Sequence, residues 1–141
     1  MTILINGYFT LHAGGESDFK IDCDSLTDAD INEIAKFVGR RIIFSKVLGV
    51  PKGGSRLANA LKQYEEGPKY PLLLVDDVWT TGKAMNSIKK RLKGDVIGFV
   101  IFARTKPEDW VRALFYVGDF ANTQPNRPSL LSEAWPIGEK S

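Results

Sequence analysis

Residues 72 to 85, LLLVDDVWTTGKAM, constrain the fold of this chain more than any other stretch. Leu72-Leu73-Leu74-Val75 is wholly apolar and too short for a helix, which is the pattern of a central parallel strand covered on both faces. It runs directly into two carboxylates, Asp76 and Asp77, and then into a Thr-Thr-Gly turn that opens a basic helix carrying Met85, Ile88 and Leu92. A strand buried on both sides needs helices on both sides, so this one segment points to a layered α/β domain.

The rest of the sequence supplies the neighbours. Ile31, Ile34, Ala35 and Val38 follow helical spacing after the capping candidates Ser25 and Thr27, which predicts a helix over about residues 28 to 40. Ile42 to Val50 reads as a buried strand ending in the turn Pro51-Lys52-Gly53-Gly54. Leu57, Ala58, Ala60, Leu61 and Tyr64 predict a second helix, and a strand follows from Val96 to Ala103. A short helical segment then leads to a strand from Leu114 to Val117. Strand and helix alternate throughout, so the expected class is α/β, with a mainly parallel twisted sheet flanked by helices. Residues 1–25 precede this core (26–118), and 119–141 form a Pro-rich tail or strap. No internal repeat or low-complexity tract interrupts the chain.

With 141 residues the chain has one domain's worth of core, and its 43% hydrophobic and 26% charged residues exclude a disordered or fibrous class. The formal net charge of +2 does not by itself imply a nucleic-acid partner. Charge is nevertheless segregated: residues 16 to 33 hold seven acids against one base, residues 36 to 56 six bases and no acid, and residues 83 to 93 five bases. Solvated helix faces explain most of these charges taken singly. The single cysteine, Cys23, excludes an internal disulfide framework. No apolar run approaches the roughly 20 residues that span a bilayer, and the opening MTILINGYFTLHAGG lacks the basic start of a signal peptide. The expectation is a soluble cytoplasmic domain without membrane association.

Ligands of open parallel sheets bind at the carboxyl ends of strands, where Asp76 and Asp77 are expected to stand. The turn Thr80-Thr81-Gly82-Lys83-Ala84 offers hydroxyls, main-chain N–H groups and a helix start, a combination suited to a phosphate. Adjacent carboxylates would repel that phosphate, so they are expected to face another part of the ligand, such as sugar hydroxyls, or to act through Mg²⁺ and its waters. A strand-end Asp-Asp pair serving only as a helix cap or surface turn is the plainer alternative.

Residues 72 to 84 resemble the signature of the type I phosphoribosyltransferases: four apolar residues, two acids, two apolar residues, a Thr/Ser-rich pair, Gly, and a small or hydroxyl residue two positions on. Trp79 is bulkier than the aliphatic residue usual there, and Ala84 stands where Ser or Thr is common. The resemblance implies the fold of that family with a small N-terminal hood over residues 1–25. It implies Asp76 and Asp77 as the catalytic pair, on the ribose hydroxyls of phosphoribosyl pyrophosphate (PRPP) and on Mg²⁺ through water. It also implies Val78, Trp79, Thr80, Thr81, Gly82, Lys83 and Ala84 around the 5′-phosphate. VLGVPKGG, residues 47 to 54, resembles the family's pyrophosphate loop and would place Pro51, Lys52, Gly53 and Gly54 at the diphosphate. Taken alone it is a plain tight turn, and no Gly-Lys-Ser/Thr closes it as in a nucleoside-triphosphatase loop.

FTLHAGGESDFKIDC, residues 9 to 23, resembles the hood of orotate phosphoribosyltransferases, with Ala13 in place of the usual serine. That likeness would bring Phe9, Leu11 and His12 to the base. Arg104, after VIGFVIFA, stands where those enzymes carry an arginine that meets the pyrimidine, and a guanidinium suits a planar carboxylate. A structural histidine and a surface arginine are the alternatives. The implied activity transfers ribose 5-phosphate from PRPP to a nitrogenous base, orotate or a similar pyrimidine, releasing pyrophosphate, in a homodimer. No protein nucleophile is needed, which agrees with one cysteine, one histidine and no zinc-ligand cluster.

The resemblance stops at residues 62 to 71, KQYEEGPKYP. Active orotate enzymes carry an extra strand and a long mobile loop here, and ten residues have no room for either. A PRPP- or nucleotide-binding regulatory module without turnover is therefore the alternative reading. A nucleic-acid-associated protein using the basic runs ranks below both, because recognition motifs and interleaved aromatics are missing.

Overall fold

The computed structural model describes residues 26–116 together with the backbone of two N-terminal strands. Those strands, β1 (Thr2–Ile5) and β2 (Phe9–His12), pair antiparallel with Ile5 opposite Phe9 and Thr2 opposite His12. The proposed tail at 119–141, Ala13, Cys23 and the capping candidate Ser25 lie outside the described residues.

Helix α1 (Asp28–Arg41) starts where the spacing predicts. Its cap is reciprocal: the Asp30 N–H donates to Thr27 Oγ1 (3.0 Å) and the Thr27 N–H donates to Asp30 Oδ2 (2.9 Å). Asp28 and Asp30 in the first turn and Arg40 and Arg41 in the last complement the helix dipole. The helix buries Ile31, Ile34, Ala35, Phe37 and Val38.

Four strands, β3 (Val47–Gly49), β4 (Leu72–Trp79), β5 (Val96–Ala103) and β6 (Val111–Tyr116), form an all-parallel sheet in sequential order. Val47 stands opposite Leu73, Leu72 opposite Val96 and Gly98 opposite Val111. The α/β class with helices flanking a parallel sheet is thus observed. Leu73, Val75, Ile97 and Phe99 pack on one face with α1 and α2 (Ser55–Leu61). Leu74 and Val100 pack on the other with Trp79 and with Met85 of α3 (Lys83–Lys89). Leu73, Leu74 and Val75 are fully buried, as a central strand requires.

Three expected boundaries are corrected. Only Val47–Gly49 of the stretch from Ile42 to Val50 is strand. Ile42 and Phe44 are fully buried, but the Ile42 N–H bonds back to Val38 O (2.9 Å) and Phe44 O accepts the Glu66 N–H (2.8 Å), so their hydrophobicity reports core packing without ladder pairing. β4 does not stop at the apolar run; it continues through both aspartates to Trp79. The expected helix before the last strand is absent: residues 104 to 110 cross back as bends, irregular chain and a turn, and β6 begins at Val111 instead of Leu114. Pro107 lacks a donor for a helix, and Trp110 does the covering that a helix would do. A Cβ on Gly98 would lie 2.8 Å from the Trp110 ring. Glu108 fixes the crossover by accepting from Trp110 Nε1 (3.0 Å) and from Asn86 Nδ2 of α3 (2.9 Å). No helix among the described residues is long and apolar enough to cross a membrane.

Candidate functional site

Because β4 runs through the aspartates, successive side chains leave it on opposite faces. Asp76 lines a hollow of about 450 Å³ with Thr80, Thr81, Gly82, Lys83 and Ala84. Asp77 lines a second hollow, of about 240 Å³, with Lys52, Gly53 and Arg56. Each carboxylate is oriented by the next main-chain N–H: Asp76 Oδ1 accepts from Asp77 (2.8 Å) and Asp77 Oδ1 accepts from Val78 (2.7 Å).

Asp76 is only 8% exposed. Burial, followed by the neighbouring Asp77 carboxyl, pushes its pKa from the ordinary 3.8 up to about 7, while the bond from the Asp77 N–H works in the opposite direction. A carboxyl in that range exchanges a proton near neutral pH.

The turn after β4 is held from beneath and from the side. Trp79, the bulky departure from the family signature, is 3% exposed and forms the floor of the turn. Gly82 has φ +81, and a Cβ there would overlap the Trp79 ring, so both backbone and packing demand glycine. Thr105 Oγ1 donates to Thr80 O, the Arg104 N–H donates to Trp79 O (2.9 Å), and Asn86 Nδ2 donates to Gly82 O (3.0 Å). Thr81 Oγ1 accepts from the Lys83 N–H (3.3 Å). The N–H groups of Thr81, Gly82 and Ala84 have no hydrogen-bond partner among the described residues. The side chains of Thr80, Thr81, Lys83 and Ala84 are exposed, whereas Val78 and Trp79 belong to β4 and to the two cores. The turn proper is 80 to 84, and Val78 and Trp79 line the larger hollow together with it.

The Pro51–Gly54 turn lies against the same strand. A Cβ on Gly53 would sit 2.5 Å from the carboxylate atoms of Asp77, and one on Gly54 would overlap Val75 O. Close packing onto β4 is thus a sufficient reason for both glycines. Val50 N donates to Val75 O (2.9 Å) and fixes the loop's start. Lys52 is exposed beside Gly53. Arg104 is exposed one residue beyond β5, next to the end of β4. Phe9, Leu11 and His12 fall on β2, and their side chains lie outside the described residues.

Three contributors were not singled out by sequence reasoning. Thr105 clamps the turn from 25 residues away, Ser87 lines the larger hollow, and Arg56 joins Lys52. Only Arg56 carried a signal, its place in the basic run beside Gly53-Gly54.

Among the described residues no group of three or more His, Cys, Asp or Glu side chains could cage a metal. The donor set fits instead a cation held by one or two carboxylates, water and ligand phosphates, the usual manner of Mg²⁺. A scan against protein-family models finds no match for this chain, and a search of curated proteins finds none either.

Proposed function

We propose that the chain binds PRPP at the carboxyl ends of β3 and β4 and transfers its ribose 5-phosphate to a nitrogenous base, orotate or a similar pyrimidine. The observation that carries this reading is the larger hollow. It combines a buried carboxyl that titrates near neutral pH with the unpartnered N–H groups and threonine hydroxyls of the 80 to 84 turn. Such a turn suits the 5′-phosphate, and Asp76 suits a sugar hydroxyl, which can donate to a carboxylate or accept from a carboxylic acid. α3 has only seven residues, so the turn's own donors matter more than a helix dipole.

In this reading Lys52 and the Pro51–Gly54 turn meet the diphosphate, and Arg104, with Phe9, Leu11 and His12 of β2, meets the base. A base ring nitrogen forms the bond to C1 as the C1–oxygen bond breaks; the electron pair leaves with pyrophosphate, and the base gives up its N–H proton. Asp76 and Asp77 would hold Mg²⁺ through water, and the ion would supply positive charge against the leaving diphosphate. The protein contributes positioning and carboxylates near the cationic sugar. A cytoplasmic homodimer belongs to the same reading by family resemblance.

A second reading, PRPP or nucleotide binding without turnover, is favoured by residues 62 to 71. Glu65 accepts the Val47 N–H (2.9 Å), Glu66 N donates to Phe44 O (2.8 Å), and Ser45 N donates to Pro71 O (2.8 Å), tying this segment to the amino ends of the strands. It lies at the wrong end of the sheet to act as a lid.

Pyrophosphate release, measured with PRPP, Mg²⁺ and a panel of orotate, uracil, hypoxanthine, guanine, xanthine and adenine, separates the two. Release that depends on an added base establishes the transferase; binding without base-dependent release establishes the module. Asp76→Asn with Asp77→Asn is expected to abolish PRPP binding in calorimetry with the fold retained, and Mg²⁺-dependent affinity surviving in the folded double variant overturns both.

A further inference from the structure

We propose that Arg56 is a second cationic anchor, acting beside Lys52 on the diphosphate end of the ligand; this rests on the function proposed above. Arg56 sits in the first turn of α2, two residues after Gly54, and lines the smaller hollow together with Lys52, Gly53 and Asp77. Its Nη2 donates to Leu26 O (2.9 Å) and to Asp28 Oδ1 (3.0 Å). Nη1 and Nε have no hydrogen-bond partner among the described residues, so their N–H donors are left for a ligand. Directional N–H donors on a permanent charge suit phosphoryl oxygens, which a lysine meets as a point charge.

The ion pair adds little to the fold, and the bond to Leu26 O is the main structural contact of this arginine. The ion pair with Asp28 is exposed, with side-chain accessibilities of 42% and 95%, and pairs of that kind contribute little. Arg56 also lines a neighbouring hollow with Asp28 and Asn59, and the tether to Leu26 and Asp28 restrains the side chain, which lowers the entropy lost when an anion binds. Lys52 forms no ion pair among the described residues. Leu26, Ile31 and Ile101 give the hollow apolar walls, against which a charge-assisted hydrogen bond is stronger than in open water. Asp77 shares the hollow and repels a bare diphosphate, so the anion is expected to bind more tightly with Mg²⁺ present.

The test is titration calorimetry of the full chain with inorganic diphosphate, with and without Mg²⁺, and separately with ribose 5-phosphate, which reads the 80 to 84 turn. Arg56→Gln is expected to weaken diphosphate binding about tenfold or more while leaving ribose 5-phosphate affinity and the unfolding temperature unchanged, and Arg56→Lys is expected to recover part of the loss. Wild-type diphosphate affinity in Arg56→Gln overturns the assignment, as does an equal loss for both ligands. If the wild-type chain binds ribose 5-phosphate but no diphosphate, the role of Arg56 falls and the sugar-phosphate reading stands; if it binds neither, both fall.

Discussion

Replacing Asp76 with asparagine is expected to stabilise the protein at high pH and to leave it nearly unchanged at low pH. The buried carboxyl holds its proton to about pH 7 in the folded chain and only to about 3.8 once exposed. The folded state therefore binds more protons than the unfolded state between those values, and stability falls as pH rises through that window. At about 1.4 kcal/mol per pKa unit, the ionised carboxylate withholds about 4 kcal/mol from the folded state above pH 7. Below about pH 4 both states are protonated and the penalty vanishes.

The asparagine side chain cannot ionise, yet its amide oxygen can still accept the Asp77 N–H that Asp76 Oδ1 accepts now. Water entering the hollow screens part of the charge, so a gain of about 2 to 4 kcal/mol at pH 8 is expected, or very roughly 10 °C in Tm for a domain of this size. Urea unfolding of wild type and variant at pH 4, 5, 6, 7 and 8 measures the difference, and the carboxyl-carbon shift of Asp76 in NMR reports its titration directly. A gain that is the same at every pH, or a carboxyl that titrates near 4, refutes the argument. The variant that gains stability is also expected to lose ligand affinity, which separates a carboxyl retained for binding from one retained for the fold.

Gly82→Ala places a Cβ at positive φ and into the Trp79 ring. A loss of about 2 kcal/mol or more is expected in denaturant unfolding, with an altered near-UV tryptophan signal, and a neutral result removes the account of the turn. Thr27→Ala removes one half of the reciprocal cap on α1. A loss of about 1 to 2 kcal/mol is expected, and one below about 0.3 shows that Asp30 is satisfied without Thr27.

The elements most readable from sequence were those whose pattern and pairing agree. Val96–Ala103 is apolar, rich in β-branched residues and paired with a strand on each side, and α1 carries cap, spacing and terminal charges together. Ile42 and Phe44 mislead because burial and ladder pairing are separate properties, and an apolar run reports only the first. The Asp76–Asp77 divergence follows from strand alternation, but only once the strand is known to continue past Val75, and two adjacent acids ordinarily argue against that. Contacts such as Arg56 with Asp28 and Thr105 with Thr80, 28 and 25 residues apart, arise from the crossover geometry and leave no local pattern to read.

Binding and turnover separate physically in this fold. The eight residues of β4 span about 23 Å at roughly 3.3 Å per step. The 80 to 84 turn lies at one end, and residues 62 to 71, bonded to Phe44, Ser45 and Val47, lie at the other. A segment anchored across that distance cannot close over a sugar phosphate held at the turn. Displacement at C1 through a cationic sugar requires water to be kept from that carbon, because water would otherwise take the place of the base. In the proposed reading, affinity for PRPP would need only the turn, the two carboxylates and the cations beside Gly53. Transfer to a base additionally needs a cover drawn from residues other than 62 to 71. Hydrolysis of PRPP to ribose 5-phosphate in the absence of base therefore reports whether such a cover closes, independently of which base fits.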